Sequence, residues 1–221
     1  MAQIGAVIVG AGHSKRMGTD KIFLPLGGKP LLAWSVEVCQ NYKPITQIVI
    51  ALNKNNMDLG QRLVAERDWT KVISVCLGGS QRQDSVKAGL KKLKECEWII
   101  IHDGARPFIT TDLLKTGLEA AKTTGAAVAA VPVKDTIKLS DKDGIVKETL
   151  HRNHLWAIQT PQIFKFDIIN QAYKQIDHDV TDDASLVEKF RGQVKLYPGS
   201  YRNIKITTPE DLALAEILAK G

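Results

Sequence analysis

Five short, nearly continuous apolar runs constrain this chain more than any other feature: residues 4–9, 47–52, 72–76, 98–102 and 126–131. Runs of that length, rich in Val and Ile, suit strands of a parallel sheet covered on both faces. Between them, residues 30–40, 84–93 and 111–122 carry apolar side chains at helical spacing. In the last of these, Leu113, Leu114, Gly117, Leu118 and Ala121 fall on one stripe. Strands alternating with helices leave few arrangements. The expected one is a doubly wound α/β sheet with right-handed crossovers.

Such sheets bind ligands beyond the carboxyl ends of their strands. Three polar, glycine-bearing loops fall there. The stretch from Gly10 to Lys21 follows the first strand, Gly78-Gly79-Ser80-Gln81-Arg82 the third, and His102-Asp103-Gly104-Ala105-Arg106-Pro107 the fourth. All three are expected on one rim.

Residues 134–159 break the rhythm. Two alternating segments, 135–139 and 145–150, flank the turn-rich Ser140-Asp141-Lys142-Asp143-Gly144, a pattern that reads as a projecting β-hairpin. An isolated hairpin is marginally stable and needs a surface to lie on; a second subunit is the natural candidate. A final helix is announced by Thr208-Pro209-Glu210-Asp211, with Thr208 as N-cap and Pro209 in the first turn. With no repeat, low-complexity tract or linker, residues 1–221 read as one domain with an arm at 134–159.

At 221 residues and 44% hydrophobic content the chain can bury a sizeable core. No apolar run is long enough to cross a bilayer. The N-terminal apolar segment has neither a basic stretch ahead of it nor a small-residue cleavage pattern after it, so a cytoplasmic protein without a membrane partner is expected. Cys39, Cys76 and Cys96 are too scattered for a metal motif and read as buried, reduced thiols. His151 and His154 lack nearby Cys or His to complete a zinc site. The net charge of +6 asks for an anionic partner. Charge alone leaves nucleic acid and a small polyphosphate both open, but aromatics at 6% and the absence of a basic stripe weigh against nucleic acid.

In the first loop, small residues let backbone N–H groups approach phosphate oxygens, and Lys15, Arg16 and Lys21 can neutralise charge. The loop is not a Walker A motif. Nor does it fit a dinucleotide fingerprint, because Lys15 holds the third glycine position and no acid closes the second strand; this argues against an NAD-dependent dehydrogenase. The glycines alone fit an ordinary turn as well as a phosphate cradle. Arg16 and Lys21 tip the balance towards phosphate.

With its Arg16-Met17 pair and later Lys21, this loop resembles the signature of nucleotidyltransferases that activate sugars as nucleoside diphosphates. Six further segments occur in order: Gly78 to Val86, His102 to Pro107, Pro132 to Lys138, Gln159-Thr160-Pro161-Gln162, Thr181-Asp182-Asp183-Ala184-Ser185 and Asn203-Ile204-Lys205-Ile206-Thr207. Together they resemble the 2-C-methyl-D-erythritol 4-phosphate cytidylyltransferases of the non-mevalonate isoprenoid pathway, over nearly the whole chain. The resemblance implies a Rossmann-like, mostly parallel sheet of the nucleotide-diphospho-sugar transferase type. One departure stands out: Val9-Gly10-Ala11-Gly12 replaces the family's usual Pro-Ala-Ala-Gly.

The resemblance also implies roles. Arg16 and Lys21 match cations over the CTP triphosphate, Lys205 a cation between the attacking phosphate and its target, and Arg152 an arginine that grips the substrate phosphate from a partner subunit. Gly10, Ala11 and Gly12 would approach the phosphates. Gly79, Ser80, Arg82 and Ser85 would enclose cytosine and ribose. Asp103, followed by Gly104, would bind ribose or sit near Mg²⁺ (or another divalent cation) held mainly through the CTP phosphates; a buried structural aspartate is its other reading. Arg106, Thr136 and Thr181 would line the polyol-phosphate pocket. Asp182 and Asp183 read as caps of a helix through Glu188, and the four tryptophans as core or interface. Ribitol 5-phosphate cytidylyltransferase is the nearest rival. A non-catalytic nucleotide-binding module fits poorly with four matched cations.

Overall fold

The computed structural model describes residues 3–12, 20–175 and 179–220. In chain order its elements are β1 (Ile4–Gly10), β2 (Pro25–Leu26), β3 (Lys29–Pro30), α1 (Leu31–Asn41), β4 (Ile45–Leu52), α2 (Met57–Glu66), β5 (Val72–Leu77), α3 (Arg82–Leu90), β6 (Trp98–Asp103), α4 (Thr111–Thr124), β7 (Ala126–Pro132), β8 (Lys138–Ser140), β9 (Val146–Thr149), β10 (Trp156–Lys165), α5 (Phe166–Lys174), α6 (Asp183–Lys189), β11 (Lys195–Pro198) and α7 (Pro209–Leu218). Seven strands form the central sheet in the order β11-β7-β10-β6-β1-β4-β5. Pairings among β6, β1, β4 and β5 and between β7 and β11 are parallel, whereas β10 runs antiparallel to both β6 and β7.

Each of the five apolar runs is a strand of this sheet. Helices cover both faces, and two separate clusters of buried side chains result. Ile8, Ile50 and Ile100 lie in one, Val7, Val49 and Ile101 in the other, as the two-residue period of a strand requires. Helix α3 begins at Arg82, two residues earlier than its apolar spacing suggests. Gln81 and Asp84 form a reciprocal capping box that extends the helix over polar residues. Thr208 and Asp211 form another at the start of α7, with Pro209 in the first turn. No helix among the described residues is long and apolar enough to cross a membrane.

The hairpin is present as β8 and β9, shorter than the two alternating segments, and both strands are exposed along their length. The arm boundary at 159 needs correction. Residues 156–159 belong to β10, and Trp156, Ala157 and Ile158 pair with β7 in the central sheet.

Candidate active site

The parallel register aligns the strand ends. Val9 pairs with Asp103, Gly10 with Leu52, and Leu52 with Leu77, so the loops after β1, β5 and β6 do open on one rim. Two close approaches hold them together. A Cβ on Gly78 would come within 2.5 Å of Ala11 Cβ and 2.6 Å of Ser85 Oγ, so only glycine lets the second loop press on the first. A Cβ on Gly10 would meet Ile22 Cδ1 at 2.7 Å. Gly10 thus leaves room for the isoleucine packed beneath it.

Beyond this rim lie two adjoining cavities. The first, of about 240 Å³, is bordered by Gly10, Ala11, Gly12, Lys21, Gly79, Ser80 and Ser85. The second, of about 440 Å³, is bordered by Arg106, Thr160, Thr181 and Asp182. Arg82, Asp103 and Lys205 border both. A larger groove beside Trp34 and Phe108 shares no residue with either cavity. It also holds none of the residues that the loops nominate.

The shared wall is a chain of ion pairs. Arg82 Nε donates to Asp103 Oδ1 at 2.8 Å, and Lys205 Nζ lies 2.6 Å from Asp103 Oδ2. Burial alone would push the Asp103 carboxyl up, but the Arg82 guanidinium and the Lys205 ammonium outweigh it and hold the group well below the usual carboxylate range. Lys205 arrives from a distant segment because Ile206 N–H donates to Ala105 O and the Ile206 side chain is buried against Leu26, Leu31 and Ala215. Two buried guanidinium nitrogens, Arg82 Nη2 and Arg106 Nε, have no partner among the described residues. Buried donors without acceptors are uncommon, and an anion entering the second cavity would supply acceptors to both side chains.

Sequence reasoning assigned no role to the polar residues of β10. Gln159 accepts from Asn203 Nδ2 and Ser200 N–H, fixing the segment that leads to Lys205. Thr160 Oγ1 accepts from Asp103 N–H and faces His102 Nδ1 at 3.0 Å. His102 Nε2 faces Arg106 O at 3.0 Å, and a carbonyl only accepts, so the imidazole is the Nε2–H tautomer and Nδ1 accepts from Thr160. Gln162 accepts Ala184 N–H and donates to Asp182. The signal that could have found these residues was their side-by-side polarity inside an otherwise apolar strand.

Burial of His102 lowers its pKa from an ordinary 6.5 to about 4, so it stays neutral. Between those values the unfolded chain binds a proton that the folded chain refuses. Stability is therefore complete above about 6.5 and falls as pH drops towards 4. The Tm of the parent is expected to decline between pH 6.5 and 5, and less steeply in His102→Gln. An unchanged slope in that variant would assign the decline to other groups.

Most nominated residues converge. Gly104 does not border either cavity; its N–H donates to Val9 O behind the rim. Thr136 and Arg152 are exposed on the arm and border neither cavity; Arg152 Nη1 donates to Lys134 O at 3.0 Å. Arg16 lies outside the described residues. Asp182 caps α6 as expected, accepting from Ser185 N–H, but Asp183 does not: its side chain is buried and paired with Arg82. Asp103 is buried in an ion-pair network and borders both cavities.

Residues 4–220 match the family 2-C-methyl-D-erythritol 4-phosphate cytidylyltransferase, IspD. A relative of that name from Dehalococcoides mccartyi is 51% identical over 219 residues, covering 99% of this chain and 96% of its own. Another from Clostridium novyi is 43% identical over 227 residues, covering 100% and 98%. The fold agrees as well. A crystal structure of 4-diphosphocytidyl-2C-methyl-D-erythritol synthase from Anaerococcus prevotii superposes with a TM-score of 0.89 at 31% identity, over 100% of this chain and 99% of that one. With a matching sequence over almost its full length and a matching fold around the paired cavities, the chain belongs to the 2-C-methyl-D-erythritol 4-phosphate cytidylyltransferase family.

Proposed function

We propose that the protein transfers cytidylate from CTP to 2-C-methyl-D-erythritol 4-phosphate, releasing pyrophosphate. The observation that carries this reading is the pair of cavities with a common wall of Arg82, Asp103 and Lys205. An oxygen of the polyol phosphate attacks the α-phosphorus of CTP. One P–O bond forms as the bond to the leaving pyrophosphate breaks. A phosphate is already anionic at neutral pH, so no general base is needed. The difficulty is bringing two anions together, which calls for positioning and fixed cations.

In this reading the glycine-edged cavity takes CTP, with Gly10, Ala11, Gly12, Gly79, Ser80 and Ser85 around the nucleotide and Lys21 and Arg16 over its phosphates. Arg106 and Thr181 take the polyol phosphate. Lys205 serves both reactants. A divalent cation such as Mg²⁺ would be held mainly by the CTP phosphates and would neutralise part of their charge. Both Asp103 oxygens are engaged, by Arg82 and Lys205.

The chain works here as one domain whose arm serves a homodimer. Leu139, Ile145, Val146, Trp156 and Ile158 form an exposed apolar set on and beside the arm, the kind of surface a second copy covers. That copy would also bring Arg152 and Thr136 to the site. The buried free thiols of Cys39, Cys76 and Cys96 suit a cytoplasmic location.

Purified protein supplied with CTP and Mg²⁺ is expected to release pyrophosphate faster with methylerythritol phosphate than with ribitol 5-phosphate. ATP or GTP should replace CTP poorly. Faster release with ribitol phosphate would overturn the acceptor, and turnover with only another nucleotide would overturn the donor.

A further inference from the structure

Arg82 is clamped from two sides. While its Nε is held by Asp103, its Nη1 donates to Asp183 Oδ2 at 2.7 Å. Asp183 comes from the first turn of α6, is wholly buried and borders neither cavity. It can touch neither substrate. Its other oxygen accepts from the Tyr173 hydroxyl. A buried carboxylate is costly unless paired, and Arg82 supplies the charge that makes this one tolerable. The turn bearing Asp183 is itself pinned, because Gln162 of β10 accepts Ala184 N–H at 3.0 Å and donates to Asp182 Oδ2 at 2.8 Å.

We propose that Asp183 is a positioning residue that fixes the Arg82 guanidinium at the boundary of the two cavities, so that its charge faces the phosphates of the bound substrates. This rests on reading the cavities as the two substrate sites. Without the second carboxylate, Arg82 would keep only the bond from Nε and could turn about it. Thr181 and Asp182, from the same turn, border the second cavity. Asp183 therefore links the shape of the acceptor site to the cation that also faces the nucleotide.

The test is Asp183→Asn, which keeps the shape and removes the charge. It is expected to lower kcat/KM for both substrates by about tenfold or more, with a parallel loss of CTP affinity by calorimetry. In an Arg82→Lys background the same change should add less than about twofold, because Asp183 acts through Arg82. Parent-like kcat/KM in Asp183→Asn, or an equal loss in both backgrounds, would overturn the proposal. Melting curves confirm that the compared proteins are folded. If Asp183→Asn does not fold, Gln162→Met loosens the same turn while keeping both charges, and the same comparison of backgrounds decides. Failure of the parent to release pyrophosphate would sink the proposed reaction, whereas the calorimetric comparison would still decide the role of Asp183.

Discussion

Lys205→Ala is expected to reduce turnover by about a hundredfold or more, the scale on which losing one well-placed electrostatic stabiliser is felt. The residue borders both cavities, at the wall where the proposed reaction brings the two phosphates together. In the proposed reading Lys21 and Arg16 serve the CTP phosphates, so Lys21→Ala and Arg16→Ala should fall in the same range. The fold should survive Lys205→Ala. Asp103 keeps its bond to Arg82, and the Lys205 side chain is 39% exposed, so its own pairing is partly screened and contributes little to stability. Steady-state pyrophosphate release with matched melting curves is the measurement. Near-parent turnover in Lys205→Ala would remove that residue from the mechanism.

Mixing two inactive variants, Lys21→Ala and Arg152→Ala, and allowing subunits to exchange is expected to restore activity. Each site would draw Lys21 from one chain and Arg152 from the other. A mixed dimer therefore holds one intact site and one lacking both residues. With random exchange, roughly a quarter of all sites become intact. If each site were built within one chain, every site would still lack a residue and the mixture would stay inactive. Only monomer in sedimentation at assay concentrations would equally defeat the idea. The motivation is structural: Arg152 and Thr136 are exposed on the arm and border neither cavity of their own chain.

Strands β1, β4, β5, β6 and β7 were legible because double-sided burial, or a position beside it, demands continuous apolar sequence. Strand β10 was not. It contains Gln159, Thr160, Pro161 and Gln162, residues that speak for a loop, and it is a strand because its backbone pairs with β6 and β7. The side chains of Gln159, Thr160 and Gln162 are buried but satisfied, each by a different site segment, so local propensity lost to tertiary pairing. The rim loops were legible from glycines and cations placed after strands. Asp183 was misread because an acid beside a capping acid looks like part of the cap, and its partner Arg82 lies 101 residues away. Sequence spacing holds no trace of such a pair.

The placement of β10 has a consequence for how the chain matures. Strand β7 is made before β10, yet in the finished sheet β10 stands between β6 and β7. A nascent chain can pair β6, β1, β4 and β5 as soon as they emerge. Strand β7, with residues Ala126 to Ala130 fully buried in the end, must wait until Lys165 has left the ribosome before it has a neighbour on that side. For the time needed to synthesise the arm and β10, an apolar strand is left without its place in the sheet. Such an interval favours wrong pairing and chaperone capture. Lengthening the arm would prolong it, so a longer insertion between β8 and β9 would reduce the yield of soluble protein even where the finished fold could hold it.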